Sequence, residues 1–172
     1  GPRWHKAALK TNRQRAYNDF IAVAEDLAKR GIASPKRLGI SGGSNGGLLV
    51  GAIFTQRPDL MNAVVCRVPL LDMLRYSKLL AGASWVGEYG DPEDSIMREA
   101  ILKYSPYQNI FPGRKYPKVF IETSTKDDRV HPGHARKMVA RMREQGHPVL
   151  YFENTEGGHS AGANLKQHAR RY

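Results

Sequence analysis

The sequence predicts an α/β fold: a mostly parallel sheet with helices on both faces. Two observations carry that prediction. Helix-like and strand-like stretches alternate along the 172 residues, the pattern of a chain that crosses between layers to return parallel. The strand candidates are also short continuous apolar runs, which suits strands covered on both sides. The length fits one domain with enough chain to bury a core.

The elements follow in order. Ala16, Phe20, Val23, Ala24 and Leu27 recur at three- and four-residue spacing, so Thr11 to Arg30 reads as an amphipathic helix that Gly31 stops. Asn18, Glu25, Asp26 and Lys29 mark its opposite face. Ser34-Pro35 is a turn, and Arg37 to Ser41 a short strand. Asn45 to Gln56 has few polar groups and reads as a buried helix ended by Arg57-Pro58-Asp59. Ala63 to Val68 is a second strand. Asp72 to Leu80 and Pro92 to Tyr104 look helical, with Asp91-Pro92-Glu93-Asp94 as the second start. Between them Gly82 to Pro92 reads as a loop carrying Trp85 and Tyr89. Tyr104 to Pro117 is a proline-rich loop. Lys118 to Thr123 is a third strand, Pro132 to Gln145 a helix closed by Gly146, Val149 to Glu153 a fourth strand, and Ala163 to Arg170 a last helical piece.

The joint between the first strand and the buried helix carries the chemistry. Gly42-Gly43-Ser44-Asn45-Gly46 fits G-x-S-x-G between an apolar strand and an apolar helix. That is the nucleophile elbow of α/β-hydrolases, in which a strained turn projects a serine hydroxyl clear of the sheet. The glycines two positions to either side are expected to lack side chains because the turn must close on strand and helix. A phosphate loop would need Gly-Lys-Ser/Thr, and Leu48 follows Gly46-Gly47. A hydrolytic serine needs a base and an orienting acid, in chain order serine, acid, histidine for this fold. Asp127 and Asp128 follow the third strand, and His159 follows the fourth in Gly157-Gly158-His159-Ser160-Ala161-Gly162. Either aspartate also suits a cap for the helix near Pro132. His5, His131, His134, His147 and His168 compete for the base, and His159 alone combines glycine neighbours with a post-strand position. His131 and His134 share a three-residue spacing without an evident third metal ligand, so no metal site is expected. The backbone N–H of Asn45 is the expected oxyanion donor.

Composition narrows the classes. Cys66 is the sole cysteine, which excludes an internal disulfide and a cysteine-built metal site. No apolar run approaches the ~20 residues that span a bilayer. No membrane association and a cytoplasmic location are the expectations. The net charge of +11 lies in the two ends, +6 in residues 1–37 and +5 in residues 129–172. No aromatic stacking platform or zinc finger accompanies it, so solvated helical faces, or surfaces that meet acidic chain, are expected rather than nucleic-acid binding.

Several stretches together resemble the peptidase domain of the prolyl oligopeptidase family of serine peptidases. They are Trp4-His5-Lys6, Ser34-Pro35-Lys36-Arg37-Leu38, Gly42 to Leu49, Asp72-Met73-Leu74, Trp85 with Tyr89-Gly90, Lys103-Tyr104-Ser105-Pro106, Asp127-Asp128-Arg129-Val130 and Gly158-His159. The resemblance implies Ser44 as nucleophile, His159 as base and Asp127 as the orienting acid. It implies that Arg129 binds a substrate carbonyl and that Trp85 stacks on a substrate proline, with Tyr89, Val130 and Asn45 completing the pocket and Leu70 a weaker candidate for its wall. Trp85 also suits a simple core or loop anchor. The implied reaction is hydrolysis of short peptides after proline through an acyl-enzyme, without a cofactor. Residues 1–172 would be the C-terminal part of an α/β-hydrolase peptidase domain, truncated on its N-terminal side. The family's propeller, the first strands of the sheet and a tyrosine that supplies the second oxyanion donor would then lie outside it. Such a piece is expected to be weak or inactive, since one oxyanion donor is worth about 10²–10³ in rate, and to self-associate through an exposed sheet edge. Alternatives are a non-catalytic folding or association module, and an esterase or aminopeptidase of the same superfamily.

Overall fold

A computed structural model describes residues 1–159 and 165–169. The chain runs α1 (Pro2–Lys6), α2 (Gln14–Lys29), β1 (Gly39–Gly43), α3 (Asn45–Gln56), β2 (Ala63–Arg67), α4 (Val86–Tyr89), α5 (Ser95–Leu102), β3 (Lys118–Ser124), α6 (Gly133–Glu144), β4 (Val149–Asn154) and α7 (Leu165–Ala169). The strands form one sheet in the order β1-β2-β3-β4, and every pair is parallel. Each strand therefore begins at the same side of the sheet and delivers its following loop to the same rim. The helical piece expected at Ala163 to Arg170 is seen as α7, and its ends lie outside the described residues.

Strand side chains alternate across the sheet because the strand repeat is two residues. One face presents Ile40, Val64, Cys66, Val119 and Ile121, which join Leu48, Ile53 and Phe54 of α3 and Met138, Val139 and Met142 of α6 in a single core. The opposite face presents Val65 and Phe120, half-buried, and Leu150, 69% exposed. Helices on both faces were expected from the apolar runs; the core built by the described residues draws on one face. Among the described residues no helix is long and apolar enough to cross a membrane.

Three stretches differ from the sequence expectation. In α2 the buried stripe runs through Tyr17 and Ala24, with Phe20 and Ile21 partly buried against the core, whereas Val23 is 59% exposed. The stripe turns because Tyr17 anchors it, its ring 5.2 Å from that of Tyr104. The stretch Gly82 to Pro92, expected as a loop, is a 3-10 turn at Leu80–Trp85 running into α4. Packing overrides its glycine content there: a Cβ on Gly82 would meet the Tyr76 carbonyl oxygen at 1.7 Å. Asp72 to Leu80, expected as a helix, holds only the 3-10 turn Tyr76–Lys78. The expected start of the next helix is confirmed in kind, with Asp94 as N-cap accepting from the Met97 N–H.

The segment after β2 is pinned by a buried histidine. His134 on α6 accepts the N–H groups of Leu71 and Asp72 at Nδ1, at 3.3 and 3.0 Å. Asp72, itself buried, accepts from Gln108 Nε2 at 2.8 Å and pairs with Lys137. Burial pushes His134 down to about 4, opposed by Asp72 and aided by His131 and Lys137. Its folded pKa lies below its unfolded value of 6.5. The unfolded chain thus binds more protons between those values. The stability this site confers is present above pH 6.5 and is lost as the pH falls toward 4. Urea unfolding from pH 8 to 4 is expected to show this decline, up to about 1.4 kcal/mol per pH unit inside the window. His134→Gln should make the decline shallower by roughly one proton's worth.

Candidate active site

Ser44 stands between the end of β1 and the start of α3 with φ 58° and ψ −119°. A non-glycine residue rarely adopts such a conformation, and holding it costs about 1–3 kcal/mol. The surroundings enforce it. The Ser44 N–H donates to the Arg67 carbonyl at 2.9 Å, and its own carbonyl accepts the Leu48 N–H at 3.1 Å. A Cβ on Gly42 would lie 2.2 Å from the Gly46 carbonyl oxygen, and one on Gly47 would lie 2.7 Å from Pro69 Cβ. Gly46 itself has nothing within 4 Å of a Cβ. The steric requirement therefore falls on Gly42 and Gly47, not on both glycines flanking the serine by two. Pro69 reaches Gly47 because β2 ends in a sharp turn at Val68, whose φ is 38°.

Asp127 and His159 arrive from the ends of β3 and β4. Asp127 follows β3 in a tight turn, where its Oδ1 accepts the N–H groups of Arg129 and Val130 at 2.9 and 2.8 Å. Its other oxygen, Oδ2, meets His159 Nδ1 at 2.8 Å, and His159 Nε2 meets Ser44 Oγ at 3.0 Å. Asp127 is buried while Asp128 is exposed, so the first acid caps its own turn and faces the imidazole. The His159 loop is tied to β3: Ser124 Oγ donates to the Gly157 carbonyl, and the Thr125 N–H donates to the Asn154 carbonyl at 2.8 Å. The competing histidines have other partners. His131 Nδ1 accepts the Gly133 N–H at 2.9 Å, His134 holds the segment after β2 as above, and His147 Nε2 lies 2.9 Å from the Phe111 carbonyl. The His168 side chain lies outside the described residues, as do Ser160-Ala161-Gly162.

Beside Ser44 opens a cleft of about 380 Å³ lined by His5, Ser44, Asn45, Leu70, Trp85, Glu88, Tyr89 and Arg129. Trp85 and Tyr89 stand four residues apart across the start of α4, a spacing that brings helical side chains onto one face. Tyr89 is nearly buried, its ring 5.4 Å from that of Tyr76 at 81°. Its hydroxyl donates to Asn45 Oδ1 at 2.7 Å, and burial pushes its pKa up to about 12. Leu70 forms buried wall, Arg129 is an exposed cation at the rim, and Val130 lies behind the wall in the core. Asn45 is the first residue of α3, where backbone N–H groups have no intrahelical partner and remain free to donate.

Glu88 in this wall and the buried Arg13 behind it were not singled out from sequence, and His5 entered there only as a competitor for the base and within a motif. Arg13 donates to Asn45 Oδ1 at 2.9 Å and pairs with Glu88, and His5 Nε2 meets Glu88 Oε2 at 2.7 Å. Their sequence separations from these partners range from 32 to 83 residues, and no local pattern marks them. The one available signal was Arg13 itself, a charge immediately before α2 and four residues before Tyr17.

The family model described as the prolyl oligopeptidase family matches residues 1–172. An uncharacterized peptidase of Sinorhizobium fredii is 58% identical over 172 residues, covering 100% of this chain and 24% of that protein. A prolyl endopeptidase of Elizabethkingia miricola is 44% identical over 171 residues, covering 97% of this chain and 24% of that protein. Among solved structures, a post-proline cleaving enzyme from Rickettsia typhi superposes with a TM-score of 0.94 at 48% identity, covering 98% of this chain and 25% of that one. The chain thus spans about a quarter of the length of the curated relatives it matches.

The packing at the elbow makes a stability prediction. Gly42→Ala and Gly47→Ala are each expected to lower unfolding free energy by about 1–3 kcal/mol or more. Gly46→Ala should stay within about 0.5 kcal/mol, as a substitution into open space does. Urea denaturation of the three variants distinguishes a steric elbow from a merely glycine-rich turn.

Proposed function

The chain belongs to the prolyl oligopeptidase family, a family of peptidases, and from that premise we propose that it carries the machinery of a serine peptidase cleaving short peptides on the carboxyl side of proline. The observation that supports this reading is the unbroken hydrogen-bond chain from Asp127 through His159 to Ser44, at 2.8 and 3.0 Å. A serine hydroxyl is a weak nucleophile until a base within hydrogen-bond reach takes its proton.

In the proposed reaction Ser44 Oγ adds to the carbonyl carbon of the substrate proline while its proton passes to His159 Nε2. Asp127 keeps the imidazole oriented through Nδ1 and stabilises the imidazolium. The Asn45 N–H donates to the oxyanion that forms. Collapse of the tetrahedral intermediate breaks the C–N bond, and His159 gives its proton to the leaving amine. Water then attacks the acyl-enzyme, His159 takes its proton and returns one to Ser44 Oγ, and the peptide acid departs. The cleft supplies the selectivity. The Trp85 indole offers a flat apolar face to a pyrrolidine ring, and the Arg129 guanidinium supplies donors to a substrate carbonyl.

Labelling by a fluorophosphonate is expected and should vanish in Ser44→Ala; labelling that survives that substitution contradicts the assignment. In the protein as it naturally occurs, Trp85→Ala should raise KM for an N-blocked proline peptide by about tenfold, the loss of one aromatic stack. An equal effect on an alanine peptide would show that Trp85 does not read proline. β1 ends the row of strands among the described residues, and we further propose that copies associate along it. Light scattering that stays monomeric at high concentration counts against this.

A further inference from the structure

One buried charge beside the site has no part in the chemistry proposed above. Arg13 is 7% exposed. Its guanidinium carbon lies 5.0 Å from the centroid of the Tyr89 ring and 5.8 Å from that of Tyr17. A buried guanidinium is costly unless its donors are matched; here Nη1 and Nη2 are matched toward the elbow, and Nε has no hydrogen-bond partner among the described residues. Nη1 bonds Glu88 Oε1. Nη2 donates to Asn45 Oδ1 at 2.9 Å, and Tyr89 OH donates to the same oxygen at 2.7 Å. The second Glu88 oxygen takes His5 Nε2 at 2.7 Å. Two donors from different elements thus fix the side chain of the residue that follows the strained serine, and both of those partners line or back the substrate cleft.

We propose that Arg13 is a positioning residue: anchored on Glu88, it clamps the Asn45 side chain together with Tyr89, sets the direction of the Asn45 N–H and couples filling of the cleft to the oxyanion site. The inference rests on the reading of Ser44 as nucleophile. The fork of the guanidinium is essential to it, because one group must reach Glu88 and Asn45 at once. A lysine presents a single nitrogen on a flexible stem and cannot reproduce that geometry. The clamp acts on the transition state, since an oxyanion donor interacts with the tetrahedral oxygen more strongly than with the ground-state carbonyl.

The test compares Arg13→Lys and Asn45→Ala, singly and together, in the protein as it naturally occurs. Asn45→Ala retains the backbone donor and removes its side-chain anchor together with one side chain of the cleft lining. Fluorophosphonate labelling of the unaltered protein comes first: labelling that persists in Ser44→Ala overturns the Ser44 reading and this inference with it. With Ser44-dependent labelling in hand, Arg13→Lys should lower kcat by about tenfold or more, the scale of a misplaced oxyanion donor. Affinity for an N-blocked peptidyl-prolinal, whose aldehyde adds to Ser44 to give a tetrahedral oxyanion, should fall by the same factor. Affinity for the matching prolinol, which cannot add, should stay within about twofold. The double variant should be no worse than the poorer single one, because both remove the same clamp. Unchanged kcat in Arg13→Lys, equal losses for prolinal and prolinol, or additive losses in the double variant each overturn the inference while leaving the Ser44 reading intact. If Arg13→Lys does not fold, Tyr89→Phe removes the companion donor to the same oxygen and must show the same prolinal-to-prolinol split. Equal losses there overturn the inference in the same way.

Discussion

The close approach of α3 to the ends of β1 and β2 is the constraint from which the site follows. Gly42 and Gly47 allow backbone to press against backbone and against Pro69, and Ser44 is the residue left to absorb the turn at φ 58°. Its N–H is tied to β2 through the Arg67 carbonyl. Strain of this kind persists only where neighbouring packing over-determines it. The same contact directs the serine hydroxyl out of the sheet and leaves the first N–H groups of α3 aimed at the space beside it.

Parallel pairing then does for His159 and Asp127 what the elbow does for Ser44. Since β1, β3 and β4 run in one direction, the loops leaving them emerge at one rim, where open parallel sheets place their ligand sites. Ser44, Asp127 and His159 meet there although 115 residues separate the first from the last. Ser124 and Thr125 stitch the β3 and β4 loops together, so the segment that leads to the imidazole is tied to the sheet. The cleft is built differently: its aromatic side comes from the short helical segment Leu80–Tyr89, and its polar side from His5 of α1, Glu88 of α4 and Arg129 after β3.

The fold's parts were unequally legible. Asn45–Gln56 begins and ends in the structure where its composition places it, and β2 and β3 match to within a residue, because an apolar run and its breakers are local signals. Val23 was misread because an amphipathic stripe has a width, and only the ring of Tyr104 decides which edge of it faces inward. Gly82 to Pro92 was misread because glycines that usually open a loop here permit close packing against Tyr76. Nothing near Arg13 in the chain announces Asn45, Glu88 or two tyrosine rings as its surroundings.

By itself the sequence determined the α/β class, the elbow and the order serine, acid, histidine, since each is written in residues close together or in a repeat that the backbone geometry imposes. It also carried the family, whose motifs recur along the whole chain. Only the tertiary structure decided which glycines the elbow cannot replace, and that a buried arginine at the start of α2 grips the residue beside the serine. Those outcomes depend on distances between segments far apart in sequence, and such distances exist only once the sheet has brought the strand ends to one rim.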